Sequence, residues 1–142
     1  MNVEEKILGC WALESFTFDF YNGNSITPFG ESPLGILIYN RCGYMSANLM
    51  KPDRVKFASN DQSVATYNEL SDSANYIGYA GKYVIHENEI IHHVETSYFP
   101  NWVGTSQRRF YSLSDDKLTL STEPLMNGGV KVVAKLVWNR IL

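Results

Sequence analysis

The sequence predicts an all-β protein, an eight-stranded antiparallel up-and-down β-barrel with one short helix in the connection 51–78. Two observations lead to this prediction. Eight segments alternate apolar with polar residues between turn residues, which is the pattern of half-buried strands. The connections alternate between tight and long, so an up-and-down meander collects the tight ones at one end. Eight antiparallel strands lose their free edges when they close into a barrel wide enough for one small ligand.

The strand candidates follow one another along the chain. They cover residues 10–20, 34–40, 43–50, 79–86, 90–99, 105–114, 117–123 and 129–141. The tight connections are 41–42, 87–89 and 115–116. The other connections are longer or contain Pro or Gly, and we expect a ligand to enter between them. In strands 34–40 and 43–50 alternation does not decide which face is buried, since two sets of residues compete for the interior: Ile36, Ile38, Met45, Ala47 and Leu49 against Leu37, Tyr39, Tyr44, Ser46 and Asn48.

The longest connection, residues 51–78, contains the helix that we predict. Thr66 followed three residues later by Glu69 is a capping-box pattern, in which each side chain satisfies a free backbone N–H of the first turn. The helix should end near Asn75. No repeat, low-complexity tract or linker divides the chain, so we expect residues 1–142 to form one domain.

Composition argues against several kinds of partner. Lys and Arg number 12 against 15 Asp and Glu, the formal net charge is -3, and no basic run is present, so nucleic acid is not an expected partner. The N-terminal sequence lacks a secretory signal, and no run approaches the roughly 20 apolar residues that span a bilayer. We therefore expect a cytoplasmic protein without membrane contact. Cys10 and Cys42 do not form a zinc framework, and we expect them to be small buried hydrophobic residues.

The segment from Ile90 to Leu120 places ionisable residues on strand faces that should be buried. If its turns close antiparallel hairpins, the alternation of side chains gives three inward cross-strand pairs. These pairs are Tyr83 with His93, Glu95 with Arg109, and Ser97 with Gln107. Leucines on the same face, Leu113, Leu118 and Leu120, mark it as the interior.

The inward set of His93, Glu95 and Arg109 has two interpretations. As a catalytic set, His93 carries the proton, Arg109 binds a carboxylate or enolate, and Glu95 orients either group. As a structural set, Glu95 and Arg109 form a buried ion pair, and His93 is hydrogen-bonded to Tyr83 or Tyr111. The sequence does not decide between the two.

The residues that we predict to bind a ligand face the interior or the open end. They are Tyr79, Tyr83, His93, Ser97, Trp102, Arg109 and Tyr111. Trp102 should stand at the mouth with Pro28 and Phe29 as an apolar rim, or else anchor its loop against the barrel. Gly81 either lets a ligand approach the backbone or bends its strand.

No cofactor and no metal ion are expected. The sequence has no glycine-rich phosphate loop, no strand–turn–helix dinucleotide motif and no serine or cysteine nucleophile motif, which argues against nucleotide cofactors and hydrolysis. The neighbours His92 and His93 point to opposite faces of one strand, so they cannot bind one metal ion together.

Motifs at both ends of the chain resemble those of lipocalins. Gly9-Cys10-Trp11 opens the first strand and Trp138-Asn139-Arg140 closes the last. The blocks GCWALES, PFGESPLGILIYNRCGYMSANLM, YAGKY and HHVETSYFPNWVG resemble the lipocalin-like domain family of small bacterial and fungal proteins, nearly end to end. The resemblance implies a lipocalin- or calycin-like barrel with a tryptophan at its closed end covered by a late arginine. Some lipocalin-like proteins of natural-product pathways act as cyclases or isomerases.

Three functions are compatible with these observations. The first is an intracellular barrel that binds a small, largely apolar molecule with one acidic or carbonyl group, motivated by the aromatic mouth and inward Arg109. The second is an isomerase or cyclase with His93 as base, Arg109 at a developing oxyanion, and Tyr79 or Tyr83 as proton donor. The third is a ligand-free structural module that associates through its surface. The sequence allows a homodimer without requiring one.

Overall fold

The computed structural model describes residues 2–142 and shows a closed antiparallel β-barrel. The strands in this range are β1 Gly9–Asp19, β2 Ser25–Ile26, β3 Leu34–Tyr39, β4 Tyr44–Met50, β5 Tyr76–Ile85, β6 Glu89–Ser97, β7 Ser106–Ser114, β8 Lys117–Thr122, β9 Leu125–Asn127 and β10 Val130–Arg140. The longer strands form an up-and-down meander, which β1 closes by pairing with β10. The predicted eight-stranded up-and-down barrel is confirmed. The short strands β2 and β9 lie against β1 and β10 near the open end.

Short helical segments accompany the strands in the described range. They are α1 Val3–Ile7, α2 Tyr67–Ser73 and a 3₁₀ turn at Pro100–Trp102. The predicted helix is α2, and its capping box is present: the Thr66 hydroxyl accepts from the backbone N–H of Glu69 at 3.2 Å, and the Glu69 carboxylate accepts from that of Thr66 at 2.8 Å. The sequence does not predict α1, because five residues are too few to show a helical period. No helix within residues 2–142 is long and apolar enough to cross a bilayer.

The closed end of the barrel is covered by α1 and by Arg140, and the arginine is the cover that the resemblance to lipocalins predicts. Trp11 is completely buried, and its indole Nε1 donates to the carbonyl oxygen of Ile7 at 2.9 Å. The guanidinium of Arg140 lies 4.3 Å from the centre of the Trp11 ring and donates to the carbonyl oxygen of Leu8 at 2.9 Å. The interior is therefore sealed on this side.

Packing decides which faces of β3 and β4 are buried. The inward residues of the two strands are Leu37, Tyr39, Met45, Ala47 and Leu49. Ile36 and Ile38 lie on the opposite face and are exposed. Because β3 has isoleucines on its exposed face, apolar character alone does not mark its buried face, which depends on the pairing with β1 and β4.

The two cysteines are exposed, so the prediction that they are buried is wrong. Cys10 precedes the buried Trp11 on β1 and therefore points outward. Cys42 lies in the turn between β3 and β4.

The β5–β6 hairpin is shifted by one residue from the predicted register next to its turn, and it contains a β-bulge farther along. Tyr83 pairs with His92 and not with His93, and Glu95 is the extra residue without a partner opposite. The bulge is centred on Gly81, where an added Cβ would lie 1.8 Å from the carbonyl oxygen of His93. Only glycine permits this approach of two backbones, so the observed role of Gly81 is to make room for the bulge.

Candidate functional site

A cavity of about 430 Å³ lies inside the barrel towards its open end. Its walls are largely apolar and come from eight strands, with Phe16, Leu37, Leu49, Ile77, Leu120 and Leu136 among the lining residues. Small-molecule sites typically enclose roughly 300–1,000 Å³. The interior is therefore not filled by side chains and has room for a small molecule.

Aromatic side chains border the mouth of the cavity. Trp102, between β6 and β7, lines the cavity together with Phe99. Its ring packs edge-on against Tyr79, with centroids 5.4 Å apart, and against Phe99 at 5.9 Å. Trp102 thus anchors its loop while it forms part of the wall. Phe29 is buried against Phe16 at 5.3 Å, so the prediction that it belongs to the rim is wrong.

The histidine inside the barrel is His92, and the predictions that His93 and Glu95 face inward are wrong. His92 is 1% exposed. His93 is exposed, and its Nδ1 lies 2.8 Å from the hydroxyl of Ser106. Glu95 is exposed at the bulge. Side chains alternate across a strand, so a shift of one residue exchanged the two histidines between the faces.

Arg109 faces the interior as predicted, but the β6–β7 register differs from the predicted one by five residues and gives Arg109 no acidic partner there. It is 9% exposed, lines the cavity and donates through Nη1 to the carbonyl oxygen of Arg108 at 3.0 Å. Among residues 2–142, no carboxylate lies within 4.0 Å of its guanidinium. The expected ion pair with Glu95 is absent because Arg109 lies opposite Ile90. A cation in an apolar cavity without a counter-ion is costly, so the cavity is electrostatically suited to an anionic or strongly polar oxygen.

Three buried side chains form a hydrogen-bonded chain next to the cavity. The hydroxyl of Tyr39 lies 2.7 Å from Nε2 of His92, and that of Tyr79 lies 2.8 Å from Nδ1. Tyr79 lines the cavity, whereas Tyr39 and His92 lie behind it.

All three members of this chain are neutral near neutral pH. Burial holds the pKa of His92 well below its usual value of 6.5, and the positive charge of Arg109 adds to the shift. Burial raises the pKa of Tyr39 well above 10.0. Burial also raises the pKa of Tyr79, and the nearby Arg109 opposes part of that increase. The chain can therefore accept and donate hydrogen bonds but carries no charge of its own.

Three predicted ligand-binding residues, Tyr83, Ser97 and Tyr111, lie away from the cavity lining. The hydroxyl of Tyr83 donates to the carbonyl oxygen of Asn40 at 2.9 Å. The hydroxyl of Tyr111 donates to the carbonyl oxygen of Glu87 at 2.9 Å. The hydroxyl of Ser97 accepts a hydrogen bond from the backbone N–H of Phe99 at 3.2 Å. These side chains have local partners in the fold.

The cavity brings together three members of the predicted ligand-binding set, Tyr79, Trp102 and Arg109. The sequence reasoning missed His92 and Tyr39. A signal for His92 was present, because Ile90, His92 and Val94 share one face of β6 and two of them are strongly apolar. That signal conflicted with the hairpin register, which placed the other face inside.

Comparison with known proteins gives a family and one relative. The family model described as a lipocalin-like domain matches residues 8–141. The chain is also similar to the 4'-hydroxy-3'-methoxypropiophenone carrier protein ppsC of Aspergillus oryzae, with 31% identity over 107 residues, which cover 68% of this chain and 96% of that protein. No solved structure matches the chain.

Proposed function

We propose that this chain, which belongs to the lipocalin-like domain family, binds one small, largely apolar molecule with one acidic or carbonyl oxygen inside its barrel. The observation that carries this proposal is a cavity of about 430 Å³ with Arg109 as its buried cation. Apolar walls favour burial of the body of the ligand, and a few polar contacts set its orientation. A ligand-free structural module would have a filled interior, whereas the described residues enclose a cavity.

Arg109 is the proposed anchor for the oxygen of the ligand. A guanidinium offers several N–H donors in a planar fork, and hydrogen bonds from a charged donor are about twice as strong as neutral ones. A ligand oxygen would also supply the counter-charge or dipole that the cavity lacks. Tyr79, next to Arg109, adds a hydroxyl to the same wall.

The similarity to the Aspergillus carrier supports the same chemistry. The compound in its name, 4'-hydroxy-3'-methoxypropiophenone, is an aromatic ketone with a phenolic hydroxyl. Its ring suits apolar walls, and its ketone or phenol oxygen suits Arg109. A ligand of this class is therefore the first to test. A cytoplasmic location and a homodimer stay predictions.

Thermal unfolding with this aromatic ketone as the probe tests the proposal. At a concentration about 100 times the Kd, binding stabilises the folded state by about 2.7 kcal/mol, which raises the Tm of a domain of this size by roughly 5–10 °C. Arg109→Met should remove most of the increase in Tm.

The matched control is Lys117→Met, which should keep the full increase. The Lys117 side chain is exposed on β8, is not part of the cavity lining, and pairs with Glu14 at 3.0 Å. The proposal fails if a series of aromatic ketones, phenols and carboxylates leaves the Tm of the unmodified protein unchanged. An equal increase in Arg109→Met would exclude Arg109 as the anchor.

A second candidate function, an isomerase or cyclase acting by general acid–base catalysis, is favoured by the chain of Tyr39, His92 and Tyr79. In this function Tyr79 donates the proton and Arg109 stabilises the developing oxyanion. His92 takes the place of His93, which lies outside the barrel, and exchanges protons with the ligand through Tyr79, because His92 itself lies behind the cavity lining. General acid–base assistance contributes roughly 10²–10⁴-fold, so Tyr79→Phe should reduce turnover by such a factor and affinity only a few-fold. Unaltered ligand after incubation with the unmodified protein would exclude catalysis.

A further inference from the structure

We infer that the cavity binds its ligand as an anion, with Arg109 and Tyr79 together holding one deprotonated oxygen of a phenolate, carboxylate or enolate. This inference rests on the proposed function and adds the ionisation state that the site selects. It follows from the direction of the buried hydrogen bonds and from the charges around the cavity.

The direction of the hydrogen bonds depends on Tyr39. A neutral imidazole has one N–H donor and one bare nitrogen acceptor. Within residues 2–142, the hydroxyl of Tyr39 has Nε2 of His92 as its one hydrogen-bond partner, and Tyr39 is 1% exposed. If Nε2 carried the ring proton, the hydroxyl proton of Tyr39 would be buried without an acceptor, at considerable cost. We therefore assign Tyr39 as the donor to Nε2.

This assignment makes Tyr79 a donor towards the cavity. Nδ1 of His92 then carries the ring proton and donates to the oxygen of Tyr79 at 2.8 Å. The hydroxyl proton of Tyr79 takes no part in the hydrogen bonds among Tyr39, His92 and Tyr79, and Tyr79 lines the cavity. Because its oxygen already accepts a hydrogen bond, Tyr79 is polarised as a donor.

The charges around this position favour a negative ligand. Arg109 is a buried cation without a carboxylate within 4.0 Å among the described residues. Glu123, the acid that lines the cavity within residues 2–142, is exposed and lies 3.9 Å from Nη1 of Arg108. The walls from β1, β4 and β10 contribute apolar residues there, among them Phe16, Ala47, Leu49, Ala134 and Leu136.

The proton balance of binding follows from the same groups. Below the pKa of the ligand, the free ligand carries an O–H proton, and binding as an anion breaks this bond. Arg109 is already protonated, and His92 is kept neutral by burial and by the charge of Arg109. The proton therefore leaves to the buffer, and Tyr79 stays protonated.

The test compares two probes of nearly the same shape. One is 4'-hydroxy-3'-methoxypropiophenone, and the other is its phenol methyl ether, which cannot ionise. Calorimetric titration at pH 6 in buffers of different ionisation enthalpy counts the released protons, and the absorbance spectrum distinguishes phenol from phenolate. We expect close to one proton released per bound phenol, a phenolate spectrum, and binding about tenfold or more tighter than that of the ether.

Three variants locate the effect. Arg109→Met should abolish proton release and the phenolate spectrum, and Tyr79→Phe should weaken binding of the phenol about five- to tenfold with little effect on the ether. Lys117→Met, at an exposed cation that is not part of the cavity lining, should behave like the unmodified protein. Binding of both probes with equal affinity, a neutral-phenol spectrum and no proton release would overturn the inference and leave the proposed binding function standing. Failure of both probes, and of an aryl carboxylate and its methyl ester, to bind would overturn the proposed function itself.

Discussion

The two ends of the barrel interior each have an arginine, and the partners of the two arginines differ. At the closed end, Arg140 lies 4.3 Å above the Trp11 ring, donates to two backbone carbonyl oxygens and pairs with Asp116 at 3.2 Å. In the cavity, Arg109 donates to one backbone carbonyl oxygen and has no carboxylate within 4.0 Å among residues 2–142. Arginine therefore covers the closed end of the barrel through bonds within the protein, whereas in the cavity it has N–H donors that are available to a ligand.

This difference separates stability from binding. A buried or half-buried arginine whose donors are all used within the protein stabilises the fold, and its removal leaves acceptors unsatisfied. An arginine that is desolvated without a counter-ion lowers stability until a ligand supplies one. We expect the effects of substitution at the two positions to differ accordingly.

The largest effect is expected at the closed end. Arg140→Met removes the cation above Trp11, two hydrogen bonds to backbone carbonyl oxygens and one ion pair, and should lower the free energy of unfolding by about 2–4 kcal/mol. Urea denaturation measures the change. Arg108→Met is the control, since its exposed ion pairs should contribute under about 1 kcal/mol. Equal losses in the two variants would contradict the role assigned to Arg140.

An intermediate effect is expected from His92, which lies between the two ends. Its pKa is lower in the folded protein than its usual value of 6.5, so below that pH the unfolded chain binds more protons. The free energy of unfolding should have its full value above about pH 6.5. It should fall by about 1.4 kcal/mol per pH unit as the pH decreases from there towards the pKa of His92 in the folded protein. Urea denaturation at several pH values between 7 and 5 measures the slope. His92→Gln should lose this contribution and His93→Gln should keep it, whereas identical slopes in all three proteins would contradict the prediction.

The smallest effect on the free protein is expected at Arg109. Because no buried ion pair is broken, Arg109→Met should change the free energy of unfolding by under about 1 kcal/mol or increase it. Breaking a buried pair would instead cost about 3–5 kcal/mol. A double-mutant cycle with Glu95→Gln should be additive within about 0.5 kcal/mol, because Glu95 is exposed at the bulge. A large coupling energy would instead indicate that Glu95 and Arg109 form the ion pair that the hairpin register predicts.

The two ends also differ in how far the sequence predicted them. The pairing of Trp11 with Arg140 was accessible because short motifs at the chain termini resemble those of a known family and because β1 and β10 join in the closed barrel. The helix α2 was accessible through the local capping box of Thr66 and Glu69. At the open end, the inward position of Arg109 was predicted correctly, whereas the predicted ion pair with Glu95 is absent.

The histidine was misplaced because the turn between β5 and β6 is one residue shorter than predicted, and a bulge farther along exchanges the two faces of β6 again. Alternation is a local rule, and it predicts the buried face only while the register of neighbouring strands is uninterrupted. The bulge opposite Gly81 depends on contact with the backbone of His93 on another strand. A glycine in the sequence marks where such a contact is permitted but does not show that it forms.

By itself, the sequence determined the number and order of the long strands, the tight and open ends, the capped helix and the cover over Trp11. These features depend on residue alternation, turn residues and motifs that are contiguous in the chain. The tertiary structure alone decided that His92 and not His93 enters the barrel, that Tyr39 and Tyr79 flank it, and that Arg109 has no acidic partner. Those features depend on how β3, β5, β6 and β7 meet across the barrel, where a shift of one residue reverses every side chain beyond it.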